Sequence, residues 1–108
     1  MAKALLLAYS SPASPGEQDA FNDWYENVHI DQVRAAVPEI TAVSRYRVVD
    51  PATADRVPRY VAVYEIDTDD VASAAAALGA ASAGGQLDPT STMDVSANPP
   101  VLVFAQGV

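Results

Sequence analysis

Four apolar stretches along the chain have the length and pattern of β-strands. Residues 4–9 are almost entirely apolar, which is typical of a buried strand. Residues 41–49 and 60–66 are rich in Val and Tyr, and apolar residues in the second of them recur at every other position. Residues 100–106 form the last apolar stretch. The polar segment 50–58, which contains two prolines, predicts a long loop between the two middle strands.

The first helix is predicted between the first two strands, at about residues 15–36. Ser14 and Glu17 have the spacing of a capping box, and a proline at the first helical position fits the same start. Apolar residues then recur at close to helical spacing. Pro38 ends the helix because a proline disfavours the helical conformation of the residue before it.

The second helix is predicted around the alanine-rich residues 72–77. Thr68 is the expected cap, and acidic residues 69 and 70 would stabilise the first turn. Residues 81–100 contain two adjacent glycines and three prolines, and they are the least structured part of the chain. A segment this long is typical of a lid, a binding loop or a flexible connection.

The predicted order is β-α-β-β-α-β, the ferredoxin-like α+β arrangement with helices on one face of an antiparallel sheet. The strands carry apolar residues on both faces, so the face without helices needs a cover. A second copy of the chain, packed sheet to sheet, would supply that cover and give a homodimer. We expect residues 1–108 to form a single domain of a dimeric α+β barrel.

Composition narrows the classes of partner and cofactor. Fourteen acidic and six basic residues give a formal charge of −8, which argues against nucleic acids and anionic membranes as partners. With one histidine and no cysteine, neither a disulfide nor a Cys- or multi-His-ligated metal site can form within one chain. The short apolar N-terminus fits a strand better than a signal peptide, and we expect a cytoplasmic protein without metal or cofactor.

His29 is the single histidine of the chain and the leading candidate for acid–base chemistry. An unperturbed imidazole has a pKa of about 6.5 and exchanges protons near neutrality. On an ideal helix His29 lies one turn after Tyr25, and Asn22 and Val33 share the same edge. We therefore predict His29 and Tyr25 as catalytic residues, with Asn22 and Val33 in the substrate pocket. The alternative is a half-buried histidine bonded to backbone or water.

Two neighbours of this edge are further candidates for substrate contact. Trp24 could line the pocket, although aromatic residues at helical spacing commonly pack in a core. Asp31 lies on the other flank of the helix and could join the site or remain a solvated carboxylate.

Three strand tyrosines and one arginine complete the candidate substrate site. If Tyr9, Tyr46 and Tyr64 face the helices, they would form an aromatic floor for a planar substrate, although the strand propensity of tyrosine explains them equally well. Arg45 could bind an anionic group. Alternatively, it could pair with Glu65 on the neighbouring strand or contact a second copy of the chain.

These residues resemble a known family. The run Phe-Asn-Asp-Trp-Tyr at 21–25, then His29, Val-Pro-Glu-Ile at 37–40 and Ser-Arg-Tyr-Arg at 44–47 is similar to the EthD-like branch of the dimeric α+β-barrel superfamily. Members of that branch often carry a Trp-Tyr…Glu-His element on the first helix and Arg-Tyr on the second strand. The chain departs from the pattern at Val28, where an acidic residue commonly precedes the histidine, and at Glu39, where glycine is usual.

The resemblance implies a fold but leaves three functions open. The leading hypothesis is a small cofactor-free enzyme that uses His29 for cyclisation, dehydration or isomerisation of a polyketide-like or aromatic metabolite. The second is a cofactor-free monooxygenase of a phenolic substrate, with Trp24 near the reacting ring. The third is a non-catalytic dimer that binds a hydrophobic small molecule.

Overall fold

A computed structural model describes residues 3–52 and 56–108, and for residues 56–58 it describes the backbone only. The elements in chain order are strand β1 (Ala4–Ser10), a 3-10 turn (Pro15–Glu17), helix α1 (Gln18–Trp24), a π-helical turn (Tyr25–His29), helix α2 (Ile30–Ala36), strand β2 (Ile40–Val49), strand β3 (Arg56–Ile66), helix α3 (Val71–Ala83) and strand β4 (Val101–Gln106). This order confirms the predicted β-α-β-β-α-β sequence of elements.

The four strands form one antiparallel sheet in the order β2-β3-β1-β4. In its register Leu6 of β1 lies opposite Tyr64 of β3 on one side and Phe104 of β4 on the other. Arg45 of β2 lies opposite Ala62 of β3. Because directly paired residues point to the same face, this register decides which side chains meet the helices.

The helices cover one face of the sheet, as predicted, and the core lies between them and that face. In β1 every second residue, from Ala4 to Ser10, is buried, while the residues between them are more exposed. In β3 the buried set begins at Tyr60 and ends at Ile66. Phe21, Tyr25 and further apolar residues of the helices pack against these strands.

The long first helix begins where predicted, but its start lacks the predicted capping box. Ser14 is extended, as an N-cap residue should be, yet its hydroxyl makes no cap hydrogen bond with the described backbone. The Ser14 carbonyl instead accepts from the Glu17 N–H at 3.0 Å. A tight 3-10 turn therefore replaces the side-chain cap at this end.

The middle of the first helix differs from the ideal helix that the sequence predicts. The N–H of Ile30 donates to the carbonyl of Tyr25, five residues back, which defines the wider π-helical turn. Each residue of an α-helix turns about 100° around the axis, so side chains four residues apart are rotated by about 40° relative to each other. A π-helical turn contains more residues and turns less per residue, which offsets this rotation. Tyr25, His29 and Val33 all line the same cavity.

Helix α3, which corresponds to the predicted second helix, is longer than predicted and has a different cap. It extends from Val71 to Ala83, and Asp70 rather than Thr68 caps it, with the Asp70 carboxylate accepting from the Ser73 N–H at 3.0 Å. Thr68 instead accepts from the Asp70 N–H and so shapes the turn before the helix. The prediction of Thr68 was wrong because aspartate, the stronger cap, stands two residues later.

Residues 84–100 are irregular but are tied to the loop that follows β1. The Ala13 N–H donates to the Thr92 carbonyl at 2.6 Å, and the Asp94 N–H donates to the Ser11 carbonyl at 2.8 Å. The Arg59 guanidinium donates to the Ser11 hydroxyl and to the Asn98 and Pro99 carbonyls. We call residues 84–100 the C-terminal loop.

The opposite face of the sheet carries exposed apolar side chains. Tyr46 is 58% exposed there, and Leu5, Val101 and Val103 are between 36% and 46% exposed. We call this surface the open face.

A membrane-spanning helix needs about 18 or more mostly apolar residues. None of the helices within residues 3–52 and 56–108 meets that requirement.

Candidate active site

A cavity of about 390 Å³ lies between the helix-covered face of the sheet, the first helix, α3 and the C-terminal loop. Each of these four parts contributes side chains to its wall. The lining residues are Leu6, Ala8, Tyr9, Ser10, Tyr25, His29, Val33, Tyr64, Ala75, Leu78, Gly79, Ser82, Leu87, Met93, Pro100, Leu102 and Phe104. The wall is mostly apolar, and its few polar groups are a histidine, tyrosines and serines.

His29 reaches the cavity from the end of the π-helical turn, held between two aromatic rings. The Trp24 ring stacks on it with centroids 4.5 Å apart, and the Tyr25 ring meets it edge-on at 4.8 Å. Burial lowers the pKa of His29 to about 4, and the positive charge of Arg45 adds to that effect. The imidazole is therefore uncharged at neutral pH. Its Nδ1 atom is buried without a hydrogen-bond partner among the described residues.

Two tyrosines face each other at the wall of the cavity. The hydroxyl of Tyr64 donates to the hydroxyl of Tyr25 at 3.4 Å, and both side chains are almost fully buried. Burial raises the pKa of both phenols, so each keeps its proton at neutral pH. Tyr64 uses its single proton in this bond, which leaves the Tyr25 hydroxyl as the group that can donate to a ligand oxygen.

Arg45 lies behind the cavity wall, on the helix-covered side of β2. Its guanidinium carbon sits 4.3 Å from the centre of the Tyr25 ring and 5.1 Å from that of Tyr60, a cation–π arrangement. Its Nε and Nη2 atoms are buried and have no partner within the described part of the chain. Partial burial lowers its pKa, but an arginine stays charged. Glu65, the cross-strand partner considered from the sequence, is exposed at a position facing away from Arg45.

The structure brings five of the predicted site residues to the cavity. Two of the remaining predicted residues act on the cavity indirectly, since Trp24 stacks on His29 and Arg45 packs under Tyr25. The lining members of the predicted set are His29, Tyr25, Val33, Tyr64 and Tyr9.

The other predicted contacts lie elsewhere. Asn22 donates to the Tyr60 hydroxyl at 3.3 Å, and Asp31 is exposed. Tyr46 lies on the open face, so the aromatic floor of three tyrosines does not form. Tyr9 borders the cavity, but strand alternation directs its ring to the open face, where Arg59 lies 6.0 Å from the ring centre.

Sequence reasoning missed Ser10, together with the walls supplied by α3, β4 and the C-terminal loop. Ser10 is 3% exposed, lines the cavity, and its hydroxyl has no partner within residues 3–52 and 56–108. The alternation of β1 carried the signal, since Ser10 continues the set that includes Leu6 and Ala8. Because the predicted strand ended at Tyr9, Ser10 was not among the predicted site residues. Nothing local in the sequence links Leu78 or Met93 to His29.

The described residues contain no cluster of three or more His, Cys, Asp or Glu side chains arranged to hold a metal ion. The polar groups of the cavity can instead exchange protons and hydrogen bonds with an organic ligand. His29 can accept a proton, and the Tyr25 hydroxyl can donate to an oxygen.

Comparisons of the sequence with family models and with curated proteins give no match. Solved structures do match. A dimeric ferredoxin-like protein from an uncultured marine organism has a TM-score of 0.64 at 17% identity, covering 100% of this chain and 97% of that one. An ethyl tert-butyl ether D (EthD) family protein from Bacillus halodurans has a TM-score of 0.53 at 18% identity, with both chains fully covered at 100%.

An EthD-like protein from Ralstonia eutropha has a TM-score of 0.60 at 15% identity, covering 97% of this chain and 92% of that one. These identities are too low to transfer a function, but the structural agreement extends over nearly the whole chain. The chain therefore has the ferredoxin-like fold of these proteins, as the predicted order of its elements and the resemblance of residues 21–47 implied.

Proposed function

We propose that the cavity binds a small, largely apolar molecule that carries oxygen, and that His29 moves a proton on it. The observation that carries this proposal is the uncharged His29 at the wall of an apolar cavity, with one ring nitrogen buried and unpartnered. Unpaired buried polar atoms are costly, and functional sites are where proteins tolerate them.

The simplest chemistry for these groups is proton transfer beside a carbonyl group. His29 would accept a proton from the carbon next to the carbonyl, and the C–H electrons would move to the carbonyl oxygen. The Tyr25 hydroxyl would donate a hydrogen bond to that oxygen while accepting one from Tyr64, with the Arg45 charge behind Tyr25. An imidazole with a pKa of about 4 becomes more basic as negative charge develops next to it.

The fate of the resulting enolate defines the overall reaction. Return of the proton from His29 to another carbon is an isomerisation. Attack of the enolate carbon on a second carbonyl, whose oxygen takes that proton, is a cyclisation. Loss of a β-hydroxyl group, which leaves as water after taking that proton, is a dehydration. All three need only acid–base groups, which typically contribute about a hundred- to ten-thousand-fold in rate. A polyketide-like or aromatic ketone suits the mostly apolar wall.

A second candidate is a protein that binds the same class of molecule without turnover. The specific observation in its favour is the pKa of His29, because a general base works best when its pKa lies near the working pH. The monooxygenase hypothesis has less support, since Trp24 stacks on His29 instead of lining the cavity.

Hydrogen–deuterium exchange of an enolisable ketone tests the proposed proton transfer. β-Tetralone in D₂O exchanges its α-protons slowly, and we expect the wild-type protein to accelerate this exchange, measured by proton NMR. His29→Gln should bind the ketone with similar affinity but lose most of the acceleration, by about a hundredfold or more.

Arg34→Gln is the matched control, because Arg34 is exposed on the same helix and does not line the cavity. Exchange in Arg34→Gln should equal that of the wild type. Full exchange activity in His29→Gln would exclude His29 as the base. Binding without acceleration by the wild type would leave the binding-protein candidate.

The open face supports a homodimer as part of the proposal. Two copies packed sheet to sheet would remove its apolar side chains from water, with a twofold axis between them. The similar protein from an uncultured marine organism is described as dimeric.

A further inference from the structure

The cavity opens to solvent between helix α3 and the start of strand β4. Most of the residues that line it are buried or half-buried. The lining residues that are exposed all lie on α3 or at the beginning of β4, and they are Gly79, Ser82, Pro100 and Leu102. We call the opening bordered by these four residues the mouth.

The course of the chain places the two sides of the mouth next to each other. β3 and β4 both pair antiparallel with β1, so they run in the same direction, and α3, which connects them, runs back in the opposite direction. The Gln106 amide at the end of β4 donates to the Asp69 carbonyl, just before α3, at 3.4 Å. The later part of α3, with Gly79, therefore lies beside the start of β4, with Leu102.

Gly79 interrupts a helix that is otherwise rich in alanine. Glycine inside a helix is less favourable than alanine because it loses more backbone freedom on folding. Packing does not require it here. A Cβ atom added at Gly79 would have no heavy atom of the described residues within 4 Å, apart from its chain neighbours and the nearby helix backbone. The glycine therefore leaves space at the mouth, at a cost to helix stability.

Leu102 borders the mouth with much of its side chain in water. It pairs with the buried Ala8, so it points to the helix-covered face, yet it is 53% exposed. An apolar ligand group resting on Leu102 would remove this surface from water, which is favourable. The described lining residues include no Asp, Glu, Lys or Arg, so a charged group would lose its hydration without gaining an ionic partner. The mouth therefore suits an uncharged, apolar part of a ligand.

We propose that Gly79 is a specificity-determining residue that admits the outer ring of an elongated, uncharged ligand into the mouth. The carbonyl group of the ligand would lie inside the cavity beside His29 and Tyr25. Its outer ring would lie between the backbone of Gly79 and the side chain of Leu102. This deepens the proposed function, on which it rests, by naming the substrate class as fused-ring ketones that extend from His29 to the mouth. Gly79 takes part in binding alone, and no bond is made or broken there.

Isothermal titration calorimetry with two ketones of different length tests this assignment. The probes are β-tetralone and its three-ring homologue, which has one more benzene ring fused to the aromatic end. The wild type should bind the homologue about tenfold more tightly or better, because the added ring buries further apolar surface. The side chain of Gly79→Leu would occupy the place of the outer ring. This variant should lose about tenfold or more in affinity for the homologue, while its affinity for β-tetralone stays within about threefold of the wild type.

Two further variants make the result specific. Gly79→Ala adds a single methyl group and should lose only part of the preference for the homologue. Ala76→Leu adds bulk at an exposed position of the same helix that does not line the cavity, so it should keep the preference of the wild type. Thermal unfolding of Gly79→Leu should show a Tm equal to or above that of the wild type, because leucine favours a helix more than glycine does.

The outcomes separate the two proposals. If Gly79→Leu keeps the preference for the homologue, or loses affinity for both ketones equally, or the wild type shows no preference, only the specificity assignment fails. If the preference depends on Gly79 but neither ketone exchanges its α-protons faster than in buffer, the catalytic proposal fails and the assignment stands. A wild type that binds neither ketone overturns the proposed class of ligand, and the assignment with it.

Discussion

At the scale of single residues, burial controls the chemistry of the cavity. His29 would titrate near pH 6.5 in water, but its place between Trp24 and Tyr25 removes it from solvent and disfavours the charged imidazolium. The same loss of hydration keeps the phenol of Tyr64 protonated. Burial thus leaves an uncharged His29 and a protonated Tyr64 in the wall of the same cavity.

The charge state of His29 can be measured directly. Because it is the only histidine, the imidazole proton signals in an NMR titration of the folded protein belong to it without ambiguity. We expect a pKa of about 4, and an upward shift in Arg45→Met because a nearby positive charge is removed. A midpoint near pH 6.5 in the wild type would mean that the ring is open to solvent.

The same shift predicts how stability depends on pH. The unfolded chain binds a proton at His29 below about pH 6.5, whereas the folded chain does so only below about pH 4. The unfolded state therefore binds more protons between these values, and stability falls as pH is lowered through that window. The contribution is on the order of 3 kcal/mol, measured as the difference between the wild type and His29→Gln in urea unfolding at pH 7 and pH 4. Equal pH dependence of the two proteins would contradict the burial of His29.

At the scale of elements, the π-helical turn directs the first helix toward the cavity. An α-helix through the same residues would rotate His29 relative to Tyr25 and the helices on either side. The extra residue of the π-helical turn widens one turn and leaves the flanking helices α1 and α2 regular. Turns of this kind are rare and frequently occur at functional sites.

Deleting one residue from this turn tests its role. Asn27 is exposed, and its side chain bonds only Asp23 among the described residues. Its deletion should convert the turn to regular α-helix, keep the circular dichroism of a folded protein, and lower β-tetralone exchange by about tenfold or more as His29 moves. Asn27→Ala keeps the chain length and should retain wild-type exchange. Unchanged exchange in the deletion variant would show that the wider turn does not position His29.

At the scale of the whole molecule, the two faces of the sheet have different roles. The helix-covered face holds the core and the cavity, and the open face presents apolar side chains from all four strands. Contiguous exposed apolar surface is typical of a protein–protein contact. The proposed homodimer assigns that surface to a second copy of the chain.

A single charge on the open face tests the homodimer. Val63 lies on β3 opposite Leu7 of β1, near the middle of this face. In sedimentation velocity the wild type should have the mass of a dimer, and Val63→Glu should shift it to the monomer, because a buried unpaired carboxylate is costly. Val95→Glu, at a position 71% exposed in the C-terminal loop, should leave the dimer intact. A monomeric wild type would refute the assignment.

The sequence by itself determined the order of elements, the split of β1 and β3 into two faces, and the presence of Tyr25 and His29 on the same helix. These features depend on local periodicity and on spacing within a single element, which a sequence displays directly. It also determined that one histidine would carry any chemistry near neutral pH, because no other side chain titrates there unperturbed.

Only the tertiary structure decided which residues share the cavity and what charge they carry. Tyr46 and Tyr64 look equivalent in the sequence, yet strand register sends one to the open face and the other to the cavity. Ser10 and His29 line one cavity because the first helix packs over the sheet, and nothing local in the sequence links the two residues to each other. The pKa of His29 follows from that packing, because desolvation depends on everything around the ring and not on the residues beside it in the chain.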